Sequence, residues 1–458
     1  MMKVVRSARR RCQIPKASAA AATAISIAAL LAPASSYAAD IIPSEGAPKI
    51  AVRQRPSLPA SHPWACSDRV PVCVHAASDE TAGDILPALH DLEDAALRLH
   101  HAMRWPAPLG DGHLGGTAGF DVYLQSEGEP YYEVVPDDAN VWAEVDRTSA
   151  FALVQPGLPN GCLRAHVLAE AYARAGLHAV DTAADEGSAN GTAAFVASQM
   201  VQCPIAWLDA VDDTQGSPNL AITNTSLHGG RGGMLFPWFL QDTRAVLGTI
   251  DFLHAVWAMS GQRTKSSEPR WLDDPNFLRV LARLQDGRTA SIDGLLLEYA
   301  IARAFVGERD DGLHLPDTAY LGTAGRVRFE WSLPWSETPR SVGNLRPIEP
   351  TGSAYIWIDL ADAPKNAGLM VQARWEIPTQ FRLSFLRIGT DGSPLTRVDP
   401  PTLQRVPEMQ VTLDNLSGAA GLLIVLCNTG PVPKDFAFDP HSTPYMPSGY
   451  IVSLFPHN

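Results

Sequence analysis

The sequence predicts an α+β fold in two successive parts: a mostly helical domain with a small antiparallel sheet, then an all-β sandwich. Three observations predict it. Apolar residues recur at helical spacing through much of residues 79–306. From about Thr323 that period gives way to seven short runs of strand-forming residues, parted by Pro, Gly, Asp and Asn. At 458 residues, 46% hydrophobic and 19% charged, the chain is long enough for two or three cores and too apolar for disorder.

Residues 1–39 read as an export signal. Lys3, Arg6, Arg9, Arg10 and Arg11 form a basic start, residues 19–34 an alanine-rich apolar run, and small residues at 36–39 offer cleavage sites. Thr23, Ser26 and Pro33 interrupt the run, which disfavours a permanent membrane helix. Cleavage would take six Lys and Arg and no acidic residue, leaving a charge of −19 with His neutral. That balance argues against nucleic acid and anionic membranes, since phosphate contacts need clustered cations. The expectation is an exported protein, periplasmic or extracellular, with no membrane span after cleavage.

Residues 40–78 read as an extended lead-in that ends in a disulfide loop. Cys66 and Cys73 are close enough to staple it, and Cys162 and Cys203 flank the segment 163–200 and would clamp its ends. Cys427 is then the odd thiol, buried in a strand-like run. Sequence alone does not fix connectivity. No CxxC pair occurs, so a zinc ribbon is disfavoured.

Residues 79–103 carry Ile85, Leu89, Leu92, Ala96 and Leu99 at helical spacing, and Trp105-Pro106 ends that helix. Residues 110–119 are a glycine-rich loop. Strands follow at 120–124, 131–135 and 149–154, then two helices within 163–200. Residues 234–260 predict one or two buried helices, 274–284 and 291–306 two more, with Gly307 as the stop. The sandwich strands fall at 326–331, 354–360, 369–375, 381–388, 409–413, 422–426 and 450–454. Asp391-Gly392 marks a hairpin, and residues 334–350 read as a linker. Trp331, Trp335, Trp357 and Trp375 suit a sandwich core, or a platform for stacking carbohydrate.

The chemistry-bearing stretch is residues 163–200. His166-Val167-Leu168-Ala169-Glu170 opens its first helix, with His166 and Glu170 one turn apart on one face. The second helix offers Asp185-Glu186-Gly187-Ser188-Ala189, or Asn190-Gly191-Thr192-Ala193 a few steps on. This resembles the core of secreted, thermolysin-like zinc metallopeptidases of the zincin type. Their HExxH helix supplies two His ligands and a water-activating Glu, and a second helix adds a Glu ligand. The resemblance implies a zincin-like domain over 79–320 and a sandwich over 321–458, a layout similar to exported bacterial proteins with a degenerate peptidase core. It implies metal ligands at His166, Glu170 and Glu186, or Asn190 in place of the last, with the base position changed to Val167. His228, opening His228-Gly229-Gly230-Arg231-Gly232-Gly233, would be a relic of an oxyanion-steadying group. That loop lacks the GK[ST] ending of a phosphate loop.

The loss of the general base removes a contribution of about 10²–10⁴-fold. The expectation is therefore a catalytically inactive peptidase-like protein that needs no cofactor and holds a peptide or protein in its former cleft. One alternative is an active zinc peptidase using His166, Glu170 and Glu186. Another is a structural or cell-surface module that binds through its sandwich. The bland account makes His166 a hydrogen-bonded histidine and gives Asp185 and Glu186 to the positive end of a helix. No GxSxG elbow or catalytic Cys signature occurs.

Overall fold

A computed structural model describes residues 54–125, 131–137, 147–244, 250–261, 275–285, 291–402, 406–431 and 447–457. The export signal and residues 40–53 of the lead-in lie outside the described residues. The fold is α+β. Among the described residues, no helix is long and apolar enough to cross a membrane.

The first part is built on a five-stranded sheet. Strand β1 (Trp64–Cys66) pairs antiparallel with β2 (Val72–Ala76), and the Cys66–Cys73 disulfide joins directly opposed residues. Helix α1 (Ile85–Leu97) then crosses over the sheet, so β3 (Phe120–Leu124) lies parallel to β2. Strand β4 (Tyr132–Pro136) occupies an edge, antiparallel to β5 (Ala150–Val154), which lies parallel to β3. The sheet is therefore mixed rather than antiparallel. The reason is the helical crossover, which delivers the next strand in the same direction.

One face of this sheet, with Val72, Val74, Val122, Ala152 and Val154, packs against α1 and α2 (Cys162–His178). The other face buries Tyr123, Val135 and Phe151. Helix α3 (Glu186–Met200) follows α2 after a short link, and Asp185 caps it by accepting the Ser188 N–H at 2.7 Å. Cys162 and Cys203 are joined, tying the start of α2 to the residues beyond α3.

Helices α4 (Leu208–Gly216), α5 (Leu235–Arg244), α6 (Asp251–Ser260), α7 (Phe277–Gln285) and α8 (Ile292–Arg303) complete this part. The sequence did not suggest α4. Its Asp209, Asp212, Asp213 and Thr214 dilute the apolar period, and tertiary packing of Ala210 and Val211 supplies what propensity lacks.

The second part is a sandwich of nine described strands. They are β6 (Trp331–Pro334), β7 (Arg340–Gly343), β8 (Ser353–Asp359), β9 (Gly368–Trp375), β10 (Thr379–Ile388), β11 (Pro394–Val398), β12 (Glu408–Leu413), β13 (Gly421–Pro431) and β14 (Tyr450–His457). One sheet runs β11-β10-β13-β8-β6 and the other β12-β9-β14-β7. The stretch 334–350, expected as a linker, contains β7, which pairs with β14 and belongs to the sandwich.

The five-stranded sheet serves two cores. Ile356, Ile358, Leu383, Phe385 and Ile424 point inward, against Leu369, Val371, Val452 and Leu454 of the other sheet. Tyr355, Leu386, Leu423, Val425 and the free thiol of Cys427 point outward, into the helical core. The Tyr355 hydroxyl donates to Ala300 O of α8 at 2.6 Å, and Arg397 forks onto both oxygens of Glu298 at 2.8 and 2.6 Å. Residues 44–458 accordingly form one compact unit. Trp335 and Trp375 lie in the sandwich core with Trp331 against it, so the four tryptophans form no common platform; Trp357 alone faces the helical part.

Candidate functional site

Helix α2 is buried on nearly every side, Arg164, His166, Glu170, Arg174 and His178 included, as fits a helix wrapped by a sheet, α1 and α3. Within it His166 and Glu170 are both 0% exposed. His166 Nδ1 lies 3.2 Å from Val201 O, and its Nε2 lies 3.5 Å from Glu170 Oε2. The structure thus brings these two together, as their spacing predicts.

The third partner is neither Glu186 nor Asn190. It is Arg231, from the glycine loop. Its Nε donates to Glu170 Oε1 at 2.7 Å, and its Nη2 to Oε2 at 2.6 Å and to Ala206 O at 2.9 Å. A fork of this kind is the strongest neutralisation a carboxylate finds in a protein. Burial by itself would raise the Glu170 carboxyl. Burial is the largest single influence, but the Arg231 charge, His166 and the Arg231 hydrogen bonds together outweigh it and hold the group at about 2. Tyr132 of β4 lies against the same carboxylate, and its hydroxyl is pushed well above 10 by burial and by Glu170.

The glycines explain how an arginine reaches so deep. A Cβ on Gly230 would come within 2.7 Å of Gly187 Cα, and one on Gly232 within 2.1 Å of Ala210 O. The loop lies directly on α3 and α4 because these positions lack side chains. It is a packing loop that delivers a charge, not a cleft rim.

The expected ligand set therefore does not assemble. Glu186 is exposed at the first position of α3. Asn190 is engaged elsewhere: its Oδ1 accepts from Arg174 Nε at 3.0 Å and its Nδ2 donates to Gly229 O at 2.8 Å. Val167, at the base position, is buried in the hydrophobic core. His228 pairs with Asp213 at 2.8 Å on the surface, with no part in the His166–Glu170 pair. Among the described residues, no group of three or more His, Cys, Asp or Glu is placed to hold a metal. The residues do not fit zinc: Arg231 already carries the positive charge at Glu170, and the pair opens on no groove.

His178 and Asp185 serve elsewhere. His178 lies twelve residues along α2 from His166, about 18 Å at helical rise. Among the described residues neither buried ring nitrogen has a hydrogen-bond partner, and burial, with Arg174 adding repulsion, holds it well below the usual histidine range. Asp185 is the α3 cap.

A second polar cluster lies on the opposite face of the first sheet, and the sequence pattern did not reveal it. Arg55 forks onto Asp137 at 2.7 and 2.7 Å and reaches Asp111 at 2.8 Å and Asp121. From Asp121 a chain runs to His75 Nε2 at 2.9 Å, then from His75 Nδ1 to His62 Nε2 at 3.0 Å, and from His62 Nδ1 to Pro59 O at 2.7 Å. The Ser149 hydroxyl donates to Asp137 Oδ2 at 2.7 Å and the Thr117 hydroxyl to Asp121 Oδ1 at 3.0 Å, but neither histidine bonds a hydroxyl or thiol among the described residues, and the chain ends on a backbone oxygen. It fastens the lead-in to the sheet.

No family model matches this chain, and no curated protein matches it.

Proposed function

We propose that this is an exported binding protein built on a peptidase-like two-helix core that carries no hydrolytic chemistry. The observation that carries the proposal is the fork between Arg231 and Glu170. In the zinc enzymes that the motif resembles, a cation at this face activates water. Arg231 supplies a cation that has no open position for water and cannot act as a Lewis acid. With Val167 at the base position, neither half of the hydrolytic machinery is present. The two disulfides suit an oxidising compartment, periplasmic or extracellular.

The experiment is metal analysis of the purified mature protein, dialysed against zinc, followed by turnover of a peptide library with and without chelator. The expected result is no stoichiometric zinc and no chelator-sensitive cleavage. Zinc at one per chain, lost in Glu170→Ala, would revive the alternative of an active enzyme with His166, Glu170 and Glu186 as ligands.

Binding through the sandwich side, with the helices as scaffold, has its own support. The His166–Glu170 face is closed, whereas a cavity of about 600 Å³ opens where the sandwich meets the segment after α8. A peptide or protein ligand is better served by that opening than by the former cleft.

A further inference from the structure

The cavity beside the sandwich has an apolar floor and an arginine that makes no ion pair among the described residues. Phe305, Ile388 and Leu423 form buried apolar wall, and Phe329 and Trp357 are half-buried within it. Trp357 lies flat over the neighbouring strand at Gly421, where a Cβ would come within 2.0 Å of the indole. The Phe329 ring is nearly parallel to it, at 10° and 5.9 Å between centroids. The Arg309 guanidinium sits 4.1 Å above Phe329.

The acidic groups of the wall are already engaged. Asp310 accepts the N–H groups of Gly312, Thr318 and Ala319. Asp311 accepts from Leu313 and His314 N–H and meets His314 Nδ1 at 2.7 Å. Asp391 Oδ1 takes the N–H and hydroxyl of Ser393, and Glu308 pairs with Arg326 at 3.3 Å. Arg309 differs from all of these. Among the described residues it makes no ion pair and its Nη1 is buried without a hydrogen-bond partner; burial and the nearby Arg326, only partly offset by Glu308, lower it to about 10.

We propose that this cavity binds a carboxylate carried on an aromatic or large apolar body, either a free acid or the C-terminal residue of a peptide. The inference rests on the binding function proposed above. A flat apolar body gains contact with Phe329 and Trp357, and a carboxylate matches the planar guanidinium and offsets its desolvated charge. The volume suits a small ligand or one terminal residue. A neutral saccharide would stack on the same rings but leave the Arg309 charge as it is.

Calorimetric titration of the whole mature protein tests this with N-acetylphenylalanine and its amide, the tripeptide Gly-Gly-Phe and its amide, and a neutral tetrasaccharide. Each acid is expected to bind about tenfold or more tightly than its amide, the difference a charge-assisted bond makes. Comparing the two acids identifies the source of the ligand. Arg309→Met should abolish the preference for acid, Arg309→Lys should leave part of it, and Trp357→Ala should weaken acid and amide alike. Circular dichroism checks that each variant folds, and the lysine variant carries the test if the methionine variant does not. Equal affinity for acid and amide, or a preference that survives both Arg309 changes, overturns the ligand class. Saccharide binding without acid binding overturns the class but keeps the cavity as the binding place. No binding by any probe overturns both, whereas the absence of hydrolysis stands or falls separately on the zinc and turnover assays.

Discussion

Glu170 and Arg231 are each costly to leave alone in a buried setting. Glu170→Leu or Arg231→Met is expected to lower stability by roughly 3–5 kcal/mol, because each leaves a desolvated partner uncompensated. The double variant Glu170→Leu with Arg231→Met should recover most of that loss in urea unfolding; strictly additive losses would show that the pair is not coupled. Acid adds a second test. The Glu170 carboxyl is held at about 2, below its ordinary 4.5, so its contribution is full above about pH 4.5 and fades as pH falls toward 2. His178 acts earlier. It stays neutral in the fold and takes a proton when unfolded, so stability falls as pH drops below about 6.5, by up to about 1.4 kcal/mol per pH unit. His178→Leu should flatten the pH–stability curve between about pH 6.5 and 4.5, above the range where Glu170 acts. An unchanged slope there would mean that another group sets it.

At the scale of elements, α2 and α3 are held as a unit from both ends. The Cys162–Cys203 bond closes a separation of 41 residues and Cys66–Cys73 one of 7. On loop-closure entropy, replacing the first pair with serine should cost about 4 kcal/mol and the second about 2.5 kcal/mol. Thermal unfolding of the two variants checks the order; a larger loss from the shorter loop would contradict it. The helix pair, its approximate ends and the pairing of His166 with Glu170 were legible in the sequence, because i, i+4 spacing on one helix is local geometry. Arg231 was not legible as a partner. Its one sequence signal is a lone arginine among four glycines, and only the close approach of Gly230 and Gly232 to α3 and α4 turns that signal into a contact.

For the whole molecule, the outward face of the five-stranded sheet decides how the two parts behave. Tyr355, Leu423, Val425 and Cys427 lie in the helical core, so neither part can leave the other without exposing apolar surface. Calorimetry of the mature protein should therefore give one unfolding transition, and two resolved transitions would contradict the shared core. The sandwich expressed alone should aggregate through that face. The Cys427 thiol, pushed up to about 12 by burial, should resist alkylation until the same transition.

The sequence by itself determined the α+β class, the paired helices, the alternation of the sandwich strands and the residues that could be disulfide-bonded. These follow from periodicity, turn residues and chain separation, all local properties. The tertiary structure alone decided the parallel placement of β3 after its helical crossover, the entry of Arg231 into the face where the resemblance implied metal ligands, and the seating of one sheet between two cores. Each of these depends on groups far apart in the chain meeting in a buried space, where desolvation and charge compensation, rather than local pattern, select the partner.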